Sequence, residues 1–278
     1  MNKALPLAQS GLSVRQRRLI FAVFAILFIL GLLLWGTTMD ESSYAVDFGQ
    51  KNLAPSVLHP FGTDNMGRDM FLRSVKGMSI SLQIGFAAAF FSSCIALILG
   101  TLSAAFGGKV DRFVLWLVDL CMGIPHILLI LMISVMMGGG ILGVSIGVIV
   151  THWPRLTRVI RAEVMQLRSQ PYVLAARQYG CSWFSIARRH FVPQYIIGLV
   201  LLFPHAIMHE AAISFLGYGL PLDMPAIGII LAESMRYLAL GMWWLAFFPG
   251  FLLLLVVLIF DRLGEALRDI LDPQSGQE

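Results

Sequence analysis

Long apolar blocks alternate with short polar segments along this chain. The clearest block runs from Gly77 to Gly108, which is 32 residues without a charged side chain. A helix needs about 20 apolar residues to cross the hydrocarbon core of a bilayer. The pattern therefore predicts a membrane protein with several spanning helices.

Six blocks are long enough to span a membrane. Each must be helical, because lipid offers no hydrogen-bond partner to unpaired backbone groups. The apolar stretch after Arg112 is too long for one helix, and we place a break at the three consecutive glycines 138–140. The sequence thus predicts an all-α membrane protein with six transmembrane helices. The predicted spans are 19–37, 79–106, 112–136, 141–160, 194–216 and 242–261.

Composition agrees with this interpretation. Hydrophobic residues make up 58% of the chain, charged residues 13%, and the mean hydropathy is +0.79. Soluble domains are typically about 45–50% apolar and about 25% charged. These values exclude a disordered chain, a coiled coil and an ordinary cytosolic enzyme. The three cysteines show no CxxC spacing, so they predict neither a disulfide framework nor a zinc site.

The basic residues predict an orientation. With the N-terminus inside, 15 of the 20 Lys and Arg residues fall on the cytoplasmic side and 5 outside. This bias favours cytoplasmic N- and C-termini. It also explains the basic pI of about 9.1 without a nucleic-acid partner. The predicted division is a cytoplasmic segment 1–18, a first span 19–37, an extracytoplasmic loop 38–78, a transmembrane domain 79–265 and a cytoplasmic tail 266–278.

The inner loop 161–193, between spans four and five, is rich in arginine and patterned like short helices. Pro171 stands at a plausible start of its second helix and Gly180 at its stop. One interpretation is a solvated basic loop lying on anionic membrane lipid. The other is a pair of cytoplasmic coupling helices that dock a partner protein.

Residues of this loop favour docking. The segment resembles the cytoplasmic EAA loop of permease subunits of bacterial ABC importers. Small alanines let a short helix sit deep in a partner's groove, and glycine permits the sharp exit turn. Leu174 and Val192 stand where the family usually has Glu and Leu. The residues that match are Ala175, Ala176, Gly180, Ile186 and Pro193.

Two further sequence blocks resemble one subunit in particular, the second permease subunit of the peptide/nickel branch of these importers. One is His59-Pro-Phe-Gly-Thr-Asp64, followed by Gly67-Arg68-Asp69. The other begins at Ser214-Phe-Leu-Gly217 and continues to Leu267-Arg-Asp-Ile-Leu-Asp-Pro273. Ala226 departs from the family, which usually has Trp there. The resemblance extends over nearly all of residues 59–273.

The resemblance implies one half of a heterodimeric pathway in the bacterial inner membrane. A second permease subunit would form the other half, cytoplasmic ATPase subunits would dock on 161–193, and an extracytoplasmic binding protein would deliver solute. The sequence has no GxxxxGK[ST] phosphate-binding loop, so we expect no bound cofactor and no enzyme activity, with ATP used by the partners.

Ionisable residues inside spans are candidate functional residues by default. His205 and His209 are four apart, hence about 6 Å apart on one helix face, where two imidazoles can hold a borderline divalent ion transiently. The alternative is two histidines hydrogen-bonded to backbone or a neighbouring helix. Glu210 and His126 are further candidates for the solute pathway, and Asp119 is a candidate for a structural pair with an arginine.

Two other regions receive predicted roles. Asp64, Arg68 and Asp69 of the outer loop form either a surface that receives the binding protein or a lid held by Arg–Asp pairs. His152 and His190 are placed near the inner surface, where they suit interfacial or docking roles.

The function expected is therefore an importer permease for nickel or a metal chelate such as a metallophore. The His-x-x-x-His before Ser214-Phe-Leu-Gly217 resembles nickel permeases. The alternative is a di- or oligopeptide importer. Two rival classes are disfavoured. A membrane-embedded metal-dependent hydrolase is disfavoured because the residue order is HxxxHE rather than HExxH. An ion channel is disfavoured because a channel needs no ATPase docking loop.

Overall fold

The computed structural model describes residues 14–168 and 170–271, and its regular elements there are helical. Four of the helices, α1, α2, α7 and α9, are long and apolar enough to cross a membrane. The described helices are α1 (Val14–Thr38), α2 (Met70–Phe106), α3 (Gly108–Met122), α4 (His126–Met136), α5 (Gly140–Arg168), α6 (Pro171–Gln178), α7 (Trp183–Phe215), α8 (Ile227–Leu238) and α9 (Trp244–Leu271).

The predicted continuous span 112–136 is wrong. Helix α3 ends at Met122, α4 begins at His126, and the two are bent by 89°. Pro125 explains the break, because its ring has no N–H to donate and disfavours the helical conformation in the residue before it. If the bent pair counts as one span, the described residues contain five candidate spans by length and composition.

The predicted break at the three glycines is confirmed. Gly138, Gly139 and Gly140 have φ values of 85°, 73° and 71°, which L residues with a side chain rarely adopt. The turn lies between the end of α4 and the start of α5.

Helix α2 starts within the predicted outer loop. Its N-cap is Asp69, whose carboxylate accepts hydrogen bonds from the backbone N–H groups of Phe71 and Leu72 at 2.8 and 3.0 Å. A side-chain acceptor at this position satisfies donors that have no partner inside the helix. The last part of the predicted outer loop 38–78 is therefore helical, and its earlier part contains two short 3-10 helices, Glu41–Tyr44 and Phe48–Gln50.

Two further boundaries differ from the prediction. Helix α7 begins at Trp183 and continues to Phe215, so the last helix of the inner loop and the fifth span are one element. Helix α8 was not predicted, because its 12 residues are too few to stand out as a span.

Helix α2 lies at the centre of the bundle. Its buried residues Met78, Leu82 and Ala89 join a core cluster with residues of α1, α7 and α9. A second cluster joins Ala96 of α2 to α3 and α5. Small residues permit close approach where helices cross in a membrane protein, and Gly228 of α8 is such a position.

Replacing Gly228 by alanine should lower the thermal unfolding midpoint of the detergent-solubilised protein. The added Cβ would lie 2.2 Å from the carbonyl oxygen of Ala211, a backbone atom that cannot swing away. Overpacking of this kind costs about 1–3 kcal/mol. Gly31→Ala is the matched control, because no atom of the described residues lies within 4 Å of a Cβ there. Equal midpoints for the two variants would contradict the close packing of α7 and α8.

Candidate functional site

A cavity of about 1190 Å³ opens among the helices and is the candidate solute site. Ligand sites in proteins are typically concave, mostly apolar and furnished with a few polar groups. This cavity fits that description, because apolar side chains of α5 and α7 share its wall with charged residues in the C-terminal halves of α5 and α9. Its polar lining includes His126, His152, His205, His209, Arg155, Glu163, Asp261 and Arg268.

Three histidines from three helices meet on the cavity wall. His126 is the first residue of α4, His152 lies in α5 and His209 in α7. Their ring centroids are 4.5 Å (His126–His152), 4.6 Å (His126–His209) and 5.0 Å (His152–His209) apart. One ring nitrogen from each lies within 4.8 Å of the others. We call these three residues the histidine cluster.

The bend before α4 helps to position the cluster. Because the helix restarts after Pro125, His126 is at an N-terminus that faces α5 and α7 rather than in the middle of a straight span. His152 is 5% exposed, so helix packing buries its side chain, while the interfacial or docking role predicted for it near the inner surface stays a prediction. No local signal in the sequence predicts the contact of His152 with His126 and His209, because the three residues are far apart in the chain.

The predicted pair His205 and His209 is arranged differently. Both line the cavity, but His209 belongs to the histidine cluster and His205 does not. The His205 ring donates from Nδ1 to the carbonyl of Leu201 at 3.2 Å. The transient metal role predicted for the pair stays a prediction, and the geometry associates His209 with His126 and His152 instead.

Glu210 is fully buried and is not among the residues that line the cavity. One of its carboxylate oxygens accepts a hydrogen bond from the hydroxyl of Ser214 at 2.9 Å. The hydroxyl of Ser81 is a second hydrogen-bonding neighbour of this carboxylate. Its predicted contact with solute therefore has no support from this geometry.

Ion pairs fasten α3 to α5. Asp119 pairs with Arg158, which agrees with the structural role expected for a carboxylate at this position. Arg161 donates two hydrogen bonds to Asp111, at 2.5 and 2.7 Å. Paired donors of this kind are among the strongest ionic contacts, so they hold the bent α3 against α5.

The outer loop is held by a charged network. Asp64 accepts from Arg68 at 2.7 Å and lies 3.4 Å from Arg73, whose guanidinium is 2.6 Å from Glu233 of α8. Asp69 caps α2 and also pairs with His59 at 2.6 Å. These contacts are those expected of a lid held by Arg–Asp pairs, while reception of a binding protein stays a prediction.

The predicted docking loop contains the separate helix α6. Val173 is buried against the body of the protein, Ala175 is half-buried, and Tyr179 after the helix is 89% exposed. Gly180 has φ +81°, as expected of a glycine that ends a helix. The side chains of Ala176, Ile186 and Pro193 lie outside the part of the chain that the structure describes.

Comparisons with known proteins give consistent results. Residues 96–273 match the family described as "Binding-protein-dependent transport system inner membrane component". The chain is 32% identical over 257 residues to the dipeptide transport system permease protein DppC of Bacillus subtilis, with 91% of this chain and 80% of that protein covered. It is 32% identical over 277 residues to the oligopeptide transport system permease protein OppC of the same organism, covering 96% and 86%.

Other relatives and one solved structure agree. A putative peptide transport system permease protein of Brucella abortus is 36% identical over 228 residues, covering 81% of this chain and 76% of that protein. The solved structure titled "Inward facing conformations of the MetNI methionine ABC transporter" matches with a TM-score of 0.53 and 22% identity. It covers 71% of this chain and 97% of that chain, which shows a shared fold.

Proposed function

We propose a function from one premise: this chain belongs to the family of binding-protein-dependent transport system inner membrane components. It is a permease subunit of a peptide/nickel-type ABC importer and a multi-pass protein of the inner membrane. Its relatives are transport components rather than enzymes. The proposals that follow concern topology, partners and solute.

The topology we propose has six spans with both termini cytoplasmic. The spans are α1, α2, the bent pair α3–α4, α5, α7 and α9. Helix α5 completes the six because its first half is apolar while its basic residues Arg155, Arg158, Arg161 and Arg168 gather toward its C-terminal end. The positive-inside rule then places this end, and α6 with it, in the cytoplasm.

The partners follow from that topology. We propose that cytoplasmic ATPase subunits dock on the loop 161–193, where α6 exposes Tyr179 and ends at Gly180. A second permease subunit forms the other half of the pathway, and an extracytoplasmic binding protein approaches the outer loop. ATP is used by the partner subunits, and rigid-body movement of the helices provides alternating access.

The solute we propose first is a di- or oligopeptide. The observation that supports it is the similarity, over most of the chain, to permeases named for dipeptides and oligopeptides. A cavity of about 1190 Å³ is large enough for a small peptide, since pockets that bind drug-sized ligands have volumes of about 300–1,000 Å³. Peptide import therefore takes precedence over the nickel import expected from the His-x-x-x-His spacing.

A second candidate solute is nickel or a metal chelate, and the histidine cluster favours it. The hydrolase alternative is disfavoured, because Glu210, the carboxylate it would use, contacts Ser214 and does not line the cavity. An ion channel is disfavoured by the family match.

Uptake into proteoliposomes tests the solute. We expect the importer, assembled with its second permease, ATPases and binding protein, to accumulate a labelled dipeptide only when ATP is supplied. Vesicles without the binding protein provide the background. Accumulation of a nickel chelate without any of the dipeptide would contradict the first solute, and accumulation without ATP would contradict the ABC mechanism.

A further inference from the structure

The histidine cluster has the features of a metal-binding site. We propose that His126, His152 and His209 together bind one divalent transition-metal ion on the wall of the cavity. The proposal rests on the proposed function in one respect: the cavity is taken to be part of the solute pathway. It differs from the pair predicted by sequence, because two of the three ligands come from α4 and α5.

The separation of the rings suits a single ion. Zinc-type ions bind imidazole nitrogen at about 2.0–2.1 Å, which places neighbouring ligands of a tetrahedral site about 3.4 Å apart. The three ring nitrogens already lie within 4.8 Å of one another. Side-chain rotations that move each nitrogen by roughly 1 Å would therefore complete the site without moving a helix.

Hydrogen bonds to backbone orient two of the ligands. The Nδ1 atom of His152 lies 2.8 Å from the carbonyl oxygen of Val148, and that of His209 lies 2.7 Å from the carbonyl oxygen of His205. A carbonyl oxygen can only accept, so each Nδ1 must hold the proton. The Nε2 atom of a neutral ring then has its lone pair available, which is the arrangement usual for metal-ligating histidines.

One of these nitrogens lacks a partner altogether. Nε2 of His152 is buried and has no hydrogen-bond partner among the described residues. Leaving a buried polar atom unpaired is unfavourable, because the atom loses its hydrogen bond to water without gaining another partner. A metal ion shared with His126 and His209 would use the lone pair of that atom, and this is the observation that separates a ligand site from three histidines packed together.

The donor set indicates the class of ion. Three neutral imidazoles suit Zn²⁺, Ni²⁺, Co²⁺ or Cu²⁺, whereas Ca²⁺ and Mg²⁺ prefer oxygen ligands. The cluster contains no carboxylate, and the adjacent Glu210 does not line the cavity. Three protein ligands leave further coordination positions open, as in catalytic zinc sites. Because the three histidines line the cavity, amine and carboxylate groups of a chelating solute in the cavity would fill these positions.

Titration with Co²⁺ tests the site. The assembled importer in detergent should bind Co²⁺ and show the visible absorption of a nitrogen-ligated ion. His126→Gln, His152→Gln and His209→Gln should each weaken Co²⁺ binding by at least about tenfold, the scale on which even supporting residues alter metal affinity. His126→Gln is the most informative of the three, because His126 is only half-buried at a helix start and its loss disturbs packing least.

His205→Gln discriminates the cluster from the pair His205 and His209. The cluster predicts that Co²⁺ affinity stays within about twofold, because His205 lies outside the set of three ligands. The proposal would be overturned if His205→Gln lost as much Co²⁺ binding as His209→Gln. It would also be overturned if the unaltered importer showed no absorption band. ATP-driven dipeptide uptake is measured on the same preparations, so a failed metal site and a failed importer assignment give different results.

Discussion

Replacing Gly180 by glutamate should reduce ATP-driven uptake to the background level while the permease stays in the membrane. Gly180 ends α6 with φ +81°, a backbone conformation that costs a residue with a side chain about 1 kcal/mol or more. The new carboxylate would also stand beside Tyr179, on the surface proposed for ATPase docking. A charge buried there without a partner would oppose association strongly.

Copurification of the ATPase subunits measures this effect directly. Ala175→Glu should also remove the ATPases, because that side chain is half-buried on α6. Gly241→Glu is the matched control: its φ is +83° and, as at Gly180, the part of the chain that the structure describes places no atom within 4 Å of a Cβ. It therefore imposes the same backbone strain away from the docking loop. Normal ATPase recovery with Gly180→Glu, or equal loss with Gly241→Glu, would contradict the docking assignment.

Replacing Arg73 by methionine should destabilise the protein by about 3–5 kcal/mol, the usual cost of removing one partner from a buried ion pair. Arg73 is 3% exposed and contacts Asp64 at 3.4 Å and Glu233 at 2.6 Å. Its loss would leave Asp64 paired with Arg68, and the 3.4 Å contact of Arg68 with Glu233 would be the remaining ion pair between the outer loop and α8 among the described residues. We expect a strongly lowered amount of folded protein in the membrane.

An exposed ion pair supplies the control for Arg73. Arg262 is 70% exposed and lies 3.2 Å from Glu265, so Arg262→Ala should change stability by about 0–1 kcal/mol. Thermal unfolding in detergent compares the two variants. If Arg73→Met unfolds at the same temperature as Arg262→Ala, the network does not hold the outer loop to α8.

Much of the fold could be predicted because its causes are local. Apolar length indicated the spans, and the three glycines 138–140 marked a real helix break. The break at Pro125 also has a local cause, yet total apolar length concealed it, because a bent pair and a straight span contain the same residues. Helix α8 was missed for a different reason, since a helix of 12 residues is too short to give a span signal.

The candidate site could be predicted only in part. His126, His205 and His209 were selected because ionisable groups in spans are rare, and all three line the cavity. His152 was given an interfacial or docking role near the inner surface, and Glu210 a role in the pathway, because the direction of a side chain does not follow from the residues beside it. Helix packing buries both, one in the histidine cluster and one against Ser214.

The sequence by itself determined that this is a helical membrane protein with a separate short helix in its inner loop. Apolar content, proline and glycine act on the residues next to them, so these features need no distant partner. Only the tertiary structure decided which residues meet. His126, His152 and His209 are far apart in the chain, and they come together because α4 is bent away from α3 and packs with α5 and α7. Their contact depends on the rotation of each helix about its axis and on the angles at which the helices cross. Both are set by the packing of whole helix faces.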